Sequence, residues 1–138
     1  MDRRRLFIKT VIVSKKQDVA AFIQELRGIL SSDGFSHDDL FLNRKSKPGE
    51  EYQYSTNYTL VDLDYAEDDV IERLKELRLE EYSETLFDRD DDRPPLLFVF
   101  GKVINGKTVY IKVKTRDEDQ VICVSFHYAK EQMEYPYK

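Results

Sequence analysis

The sequence has a single cysteine, Cys123, which excludes an intramolecular disulfide and is typical of a protein kept in a reducing cytosol. It also lacks any apolar run close to the roughly 18 residues that a membrane-spanning helix needs. Residues 6–13 follow a basic start and have the outline of a signal peptide, but Lys9 interrupts them and no small-residue cleavage site follows. We therefore interpret residues 6–13 as a β-strand and expect a cytoplasmic protein.

The motifs of several site types are missing as well. There is no GxGxxG or Walker-type loop, and one cysteine with two distant histidines, His37 and His127, lacks the spacing of a zinc site. No acid is obviously placed to complete a hydrolase triad with Ser125 and His127. The adjacent acids at positions 90–92 are more typical of a solvated loop than of a cation site. We expect neither a metal nor a cofactor.

The chain has enough apolar residues for one folded domain, residues 1–138. Hydrophobic residues make up 41% of it and aromatic residues 12%, which favours a globular fold over disorder. The net charge of -5 argues mildly against a nucleic-acid partner, but the charges are segregated. Residues 62–93 are strongly acidic, whereas residues 101–116 carry five basic side chains and no acid. Because the local field decides whether a phosphate chain can dock, the basic region remains a candidate RNA contact.

An amphipathic helix is predicted after Ser14. Ser14 and Gln17 have the spacing of a capping box, and the helix should end near residues 31–34. The apolar face of this helix comprises Val19, Phe22, Ile23, Leu26 and Leu30. His37, in the polar stretch that follows, is interpreted as a turn or cap residue.

A second helix is predicted from about Tyr65 to Arg78. Asp64 and Glu67 again have capping-box spacing, and the acids of the first turn suit the helix dipole. Residues 40–42, between the two helices, have the pattern of a short strand.

The polar run at residues 43–53 has the clearest loop chemistry in the chain, with a turn predicted at Pro48 and Gly49. Two interpretations stay open for this run. It is either a mobile loop or the tip of a hairpin that leads into residues 52–60.

After an acidic link at residues 88–95, the remaining segments are predicted to be strands at residues 96–103, 108–114 and 121–128, with a possible edge strand near the C-terminus. Asn105-Gly106 is a strong hairpin signal. A two-residue type I′ turn would place Gly101 opposite Tyr110, leaving room for a ligand, and would send Lys102 to the apolar side. A three-residue turn would bring Lys102 beside Tyr110 instead. The sequence does not choose between them.

The last two strands predict a shared polar face. If Val109, Ile111 and Val113 face the core together with Ile122, Val124 and Phe126, odd-numbered residues of one strand lie opposite even-numbered residues of the other, as with Lys114 opposite Val121. The opposite face would then collect Tyr110, Lys112, Lys114, Val121, Cys123, Ser125 and His127.

A histidine, a tyrosine and lysines on one face have the chemistry of metal-free phosphodiester cleavage. A base takes the proton of a ribose 2′-hydroxyl, cations stabilise the phosphorane, and an acid protonates the leaving oxygen. His127 suits either proton-transfer role near neutral pH. Lysines and tyrosines are also ordinary on an exposed sheet face, so the pattern alone does not establish catalysis.

Two longer stretches resemble a known family. The stretch VFGKVINGKTVYIKVKTRDEDQVICVSFHYA, followed by MEYPYK, resembles the C-terminal half of the MqsR-family toxins of bacterial type II toxin–antitoxin systems. The segment TLVDLDYAEDDVIERLKELRLEEYSE resembles the pattern that precedes it in that family. Together these cover residues 59–138, whereas residues 1–58 are matched only by a helix and the basic residues at positions 43–45.

The resemblance implies an α+β, RelE-like fold with an antiparallel sheet and two main helices on one face. It also implies a metal-free mRNA interferase, an endoribonuclease controlled by a cognate antitoxin protein. The functional tyrosine of the family falls on Tyr110, and a position that is lysine in the best-known member falls on His127. A second family lysine falls on Glu84, and a family glutamine has no clear counterpart near residues 100–102.

We therefore expect single-stranded RNA to bind across the sheet face, with His127, Tyr110 and Lys112 as catalytic residues. The residues expected to bind RNA are Lys102, Lys114, Arg116, Tyr128, Arg44 and Lys45. The alternative is a non-catalytic protein- or RNA-binding module on a degenerate toxin scaffold, in which the acidic second helix matters more than the sheet face.

Overall fold

Six strands form a single sheet in the order β1-β3-β4-β5-β6-β2 in the computed structural model, which describes residues 11–46 and 48–138. Neighbouring strands are antiparallel except β2, which runs parallel to β6. The strands are β1 (Val11–Ile12), β2 (Leu40–Leu42), β3 (Tyr82–Phe87), β4 (Leu96–Ile104), β5 (Lys107–Arg116) and β6 (Gln120–Tyr128). The helices are α1 (Lys16–Leu30), α2 (Thr56–Leu63) and α3 (Glu67–Lys75).

The predicted α+β class is confirmed, with three α-helices where two main helices were expected. Buried residues of all three helices join one face of the sheet in a single core cluster. A smaller cluster of Leu86, Leu97 and Val99 lies on the opposite face. No helix within residues 11–46 and 48–138 is long and apolar enough to cross a membrane. Of the strand predicted at residues 6–13, positions 6–10 lie outside the described residues.

Helix α1 buries the predicted apolar face against the sheet. The predicted capping box is wrong, however, because the N-cap residue is Lys15 and no side chain caps the helix. The Ser14 hydroxyl instead lies 2.7 Å from Thr85 Oγ1, and the Ser14 backbone N–H donates to the Tyr82 hydroxyl at 2.8 Å. Ser14 therefore ties the start of α1 to strand β3, which the sequence analysis did not predict.

Helix α2 replaces the hairpin strand considered for residues 52–60. A 3₁₀ turn at Tyr52–Tyr54 precedes it, and the Ser55 hydroxyl caps it by accepting from the Tyr58 N–H at 3.1 Å. The hydroxyls of Thr56 and Thr59 accept the N–H groups of Phe126 and Tyr128 at 3.2 and 3.0 Å. Thr56 and Thr59 therefore cover the part of β6 that lies beyond β2.

Helix α3 is shorter than predicted, and its cap is shifted. The Asp69 carboxylate accepts the Ala66 N–H at 2.9 Å, whereas Asp64 adopts the left-handed conformation that ends α2. His37 lies in a 3₁₀ turn, as predicted, and its imidazole also binds the Asp68 carboxylate of α3. The hydrogen bond and negative charge of Asp68 raise the pKa of His37.

The β4–β5 connection is the two-residue turn. Asn105 and Gly106 both have positive φ, 51° and 81°, and Ile104 pairs with Lys107. Gly101 is therefore the Cα partner of Tyr110. Lys102 points to the helix side, where its ammonium group reaches Glu81 at 3.3 Å.

The β5–β6 pairing contains a bulge, so the residues that share a face with His127 differ from those predicted. Lys112 pairs with Ser125 as odd–even numbering requires, but the next pair is Val113 with Cys123. Val124 is the extra residue, and it packs with the smaller apolar cluster instead of the main core. The predictions that Val124 faces the main core and that Val121 and Cys123 share a face with His127 are wrong, since Val121 and Cys123 lie in the main core.

Lys114 was predicted to lie on the polar face and bind RNA, but its ammonium group is buried. It lies 2.8 Å from the Asp88 carboxylate and 3.4 Å from that of Asp91, and it donates to the backbone carbonyls of Asp91 and Pro94 at 2.9 Å each. The side chain is 1% exposed. Lys114 therefore fixes the acidic link at residues 88–95 to the sheet.

Lys114→Met should lower the free energy of unfolding by about 3 kcal/mol, because it leaves the buried Asp88 carboxylate without its cation. Lys107→Met is the matched control on the same strand, where the side chain is 62% exposed, and it should change stability by about 0.5 kcal/mol or less. Urea unfolding followed by tyrosine fluorescence measures both. Equal losses in the two variants would contradict a structural role for the buried ion pair.

Candidate active site

Tyr110 and His127 form the centre of the candidate site. They are Cα partners on β5 and β6, and their rings stack with centroids 5.1 Å apart and planes 9° apart. Cross-strand partners share a face, so both rings rise from the side of the sheet opposite the helices. The register and the stacking together hold the imidazole and the phenol side by side.

The backbone fixes the orientation of the His127 imidazole. Nδ1 lies 3.0 Å from the carbonyl oxygen of Tyr128. A carbonyl oxygen only accepts, so Nδ1 must donate its hydrogen in this contact. In the neutral ring, Nε2 then carries the lone pair. The geometry therefore favours His127 as a proton acceptor through Nε2.

Tyr110 is suited to donate a proton, whereas His127 is suited to accept one. Burial, assisted by the negative charge of Glu84, raises the pKa of Tyr110 to about 12. The phenol therefore stays protonated at physiological pH and acts as a hydrogen-bond donor. A proton acceptor and a proton donor stand next to each other on adjacent strands.

Both rings line an open groove of about 590 Å³. Lys112 lies two residues from Tyr110 on the same face, and its Cα partners are Val99 and Ser125. Val11 of β1, Val13 just after it and Glu84 of β3 line the groove on one side, and residues 129–134 line it on the other. Among the described residues, the groove thus brings together His127, Tyr110 and the lysines Lys112 and Lys130 with the carboxylates Glu84, Glu131 and Glu134.

The C-terminal segment is not an edge strand, as one interpretation of the sequence had it, but a wall of this groove. A Cβ atom at Gly101 would collide with the Tyr135 hydroxyl oxygen and would lie 2.8 Å from Met133 Sδ. The space that a glycine opposite Tyr110 was predicted to leave for a ligand is therefore filled by the protein itself. Further along, the Tyr137 hydroxyl donates to the Ser14 carbonyl oxygen at 2.5 Å.

The residues predicted to contact RNA are not brought together. Lys102 and Lys114 are engaged by acids as described above, and Arg116 lies 3.4 Å from Asp91. Tyr128 faces the helix side, where its hydroxyl donates to Asp62 at 2.5 Å. Arg44, 3.7 Å from Glu67, and the exposed Lys45 lie on the loop before α2. Of the predicted site residues, only Tyr110, Lys112 and His127 line one groove.

Sequence reasoning missed most of the groove walls. Glu84 was noted only as a departure from the family pattern, and β3 was not predicted as a strand. No local sequence pattern predicts that residues 129–134 form a wall of the groove. Their position depends on the space that Gly101 leaves on the sheet because it has no side chain. The bare Gly101 opposite Tyr110 was the one available clue.

A scan of protein-family models, a search of curated proteins and a search of solved structures each found no match to this chain. The assignment of a function therefore depends on the residues and geometry of the groove and on the resemblance noted in the sequence.

Gly101→Ala should lower the free energy of unfolding by about 1–2 kcal/mol, because the methyl group displaces Tyr135 and Met133. When Tyr135 and Met133 are both changed to Ala, Gly101→Ala should leave the free energy of unfolding unchanged or raise it, since glycine is costly inside a strand. Urea unfolding of the four proteins measures this coupling. The same cost in both backgrounds would show that the C-terminal segment does not press on Gly101.

Proposed function

We propose that the chain is a toxin-like endoribonuclease that cleaves single-stranded RNA without a metal ion. The observation that carries the proposal is the stacked Tyr110–His127 pair in an open groove with Lys112. The resemblance to the MqsR-family mRNA interferases supports it, and a RelE-like arrangement of the sheet and helices is part of the same proposal. The activity would act on mRNA in the cytoplasm and be controlled by a cognate antitoxin protein.

The proposed reaction is an internal transesterification. His127 Nε2 takes the proton of the ribose 2′-hydroxyl, and the 2′-oxygen attacks the adjacent phosphorus. The bond from phosphorus to the 5′-oxygen breaks, leaving a 2′,3′-cyclic phosphate and a 5′-hydroxyl. The Tyr110 phenol donates a proton to the departing 5′-oxygen and becomes a phenolate. After the step the His127 imidazolium releases its proton to solvent, and the phenolate takes one from solvent.

Lys112 has the electrostatic role in this scheme. Lys112 lines the groove two residues from Tyr110 on the same strand face, so a phosphate at the Tyr110–His127 pair would lie beside it. A cation at that place stabilises the negative charge that builds up on the phosphorane oxygens. Glu84, on the opposite wall, opposes this effect by repelling the phosphate.

The groove chemistry also supports a second candidate, a non-catalytic protein-binding module. The specific observation is that Glu84, Glu131 and Glu134 line the groove beside Lys112 and Lys130. A groove of mixed charge suits a polypeptide segment with basic residues as well as it suits RNA. Salt-resistant binding of a protein partner without RNA cleavage would favour this candidate.

His127→Ala should reduce the rate of RNA cleavage by about 10²–10⁴-fold, because it removes the proton acceptor. Tyr110→Phe keeps the ring and removes only the donor, and should cost about 10²-fold. His37→Ala is the matched control, since His37 is the other histidine and lies on the helix side. The rates are measured on a single-stranded RNA with the metal chelated, and growth arrest is measured on induction in a bacterial host. Intact RNA with the wild-type protein, or equal rates in all variants, would overturn the proposal.

Glu84→Gln should strengthen RNA binding by about fivefold at low ionic strength and by less at high salt, because it removes a negative charge from the groove. Glu80→Gln, an acid 54% exposed and outside the groove, is the control and should leave KM unchanged. Cleavage kinetics at two salt concentrations give the comparison. A large fall in kcat for Glu84→Gln would show instead that this carboxylate takes part in proton transfer.

A further inference from the structure

A second cleft of about 600 Å³ opens next to the groove. It lies between the segment that starts α2, the beginning of β5 and the residues that follow β6. Residues 129–132 line both this cleft and the groove that contains Tyr110 and His127. Residues 129–132 thus separate the groove from the cleft. A linear ligand that extends from the groove across these four residues reaches the cleft.

Three of the described residues that line the cleft are tyrosines. Tyr54, Tyr58 and Tyr128 line it, and we call it the tyrosine cleft. Tyr52 extends this surface, because its ring meets that of Tyr58 edge to face at 5.4 Å and is 63% exposed. The Tyr58 and Tyr128 rings lie 6.3 Å apart, also edge to face. The main core does not require an exposed aromatic ring at position 52, so this surface is open to a flat ligand.

The charges around the tyrosine cleft are already balanced. Lys107 lies 4.8 Å from the centre of the Tyr128 ring and 3.9 Å from the Asp62 carboxylate. Lys130 lies 5.9 Å from the centre of the Tyr54 ring and 3.0 Å from Glu51. These lysines occupy the cation-binding faces of two rings, so a cationic ligand is disfavoured, and their paired acids disfavour a lone phosphate. A neutral planar group is the ligand that fits.

We propose that the tyrosine cleft binds an unstacked nucleobase of single-stranded RNA, from a nucleotide that flanks the cleaved bond. Bases splayed out of a single strand stack on tyrosine rings, and stacking is tolerant of sequence because every base has an aromatic face. This inference rests on the proposed function, since the neighbouring groove supplies the reaction.

The test uses a single-stranded oligonucleotide in which every ribose carries a 2′-O-methyl group, so that it binds without being cleaved. Tyr54→Leu and Tyr52→Leu should each weaken its binding by about tenfold, measured by fluorescence anisotropy. Phe41→Leu is the matched control, because Phe41 is an exposed aromatic ring at the β2 edge of the sheet, 44% exposed and outside the tyrosine cleft. Thermal unfolding confirms that each variant is folded, and Tyr52→Leu keeps the test valid if the half-buried Tyr54 proves necessary for folding.

A cleavage assay with unmodified RNA separates this inference from the proposed function. If the inference holds, the tyrosine variants raise KM by about tenfold at an unchanged kcat, whereas His127→Ala lowers kcat. Photo-crosslinking of an oligonucleotide that contains 5-iodouracil should label residues 52–58.

If the wild-type protein cleaves RNA and both tyrosine variants have unaltered binding and KM, the proposal that the tyrosine cleft binds a nucleobase is overturned. The proposed function is not affected by that result. Binding that the tyrosine variants weaken, without any cleavage, would support the cleft as an RNA-binding site and overturn catalysis. Absence of both binding and cleavage in the wild-type protein would overturn both.

Discussion

The register between β5 and β6 is the constraint on which the rest of the structure depends. The Tyr110–His127 pair requires odd-numbered residues to lie opposite even-numbered ones, and the main core requires Val113 and Cys123 to lie on the helix side together. A regular ladder cannot satisfy both requirements, because a shift of one residue exchanges the two faces. The extra residue Val124 resolves the conflict, since it changes the pairing between the two ends of the hairpin.

Charge pairing engages three of the basic residues that the sequence analysis assigned to RNA. The basic strand region at residues 101–116 looks like an RNA-binding surface in the sequence, yet Lys102, Lys114 and Arg116 are each within 3.4 Å of an acid. The acids come from residues 76–91, the acidic region that precedes the strands. The two regions are therefore largely complementary to each other, and the protein uses most of this charge for its own stability. Lys112 is the member of the set that lies in the groove.

The sequence allowed much of the sheet to be predicted, because alternation and turn chemistry are local. Strands β2, β4, β5 and β6 were predicted with small shifts at their ends, and the Asn105-Gly106 turn was identified with its register left open. Helix α2 was missed because Thr56 and Thr59 have side chains typical of strands, and their hydroxyls find partners only on β6. The cap predicted at Ser14 is wrong for a similar reason, since the Ser14 hydroxyl binds Thr85, which is 71 residues away along the chain.

The candidate site was predictable only where it depended on neighbouring strands. The common face of Tyr110, Lys112 and His127 follows from one hairpin, whereas the positions of Glu84 and residues 129–134 follow from contacts that no local pattern encodes. Burial of Lys114 was likewise not predictable, because its partners lie in a polar link that the sequence marks as solvated.

The C-terminal segment also joins distant parts of the sheet mechanically. It leaves β6, crosses Gly101 of β4 and ends with the Tyr137 hydroxyl on the carbonyl of Ser14, beside the β1 edge. The C-terminal segment is therefore attached to the sheet at both of its ends, and the groove lies between the segment and the sheet. A bulky group that widens the groove must either flatten the twist of the sheet or pull on Ser14. Displacement of the C-terminal segment would therefore strain the hydrogen bond from Tyr137 to Ser14, the residue that precedes the N-cap of α1.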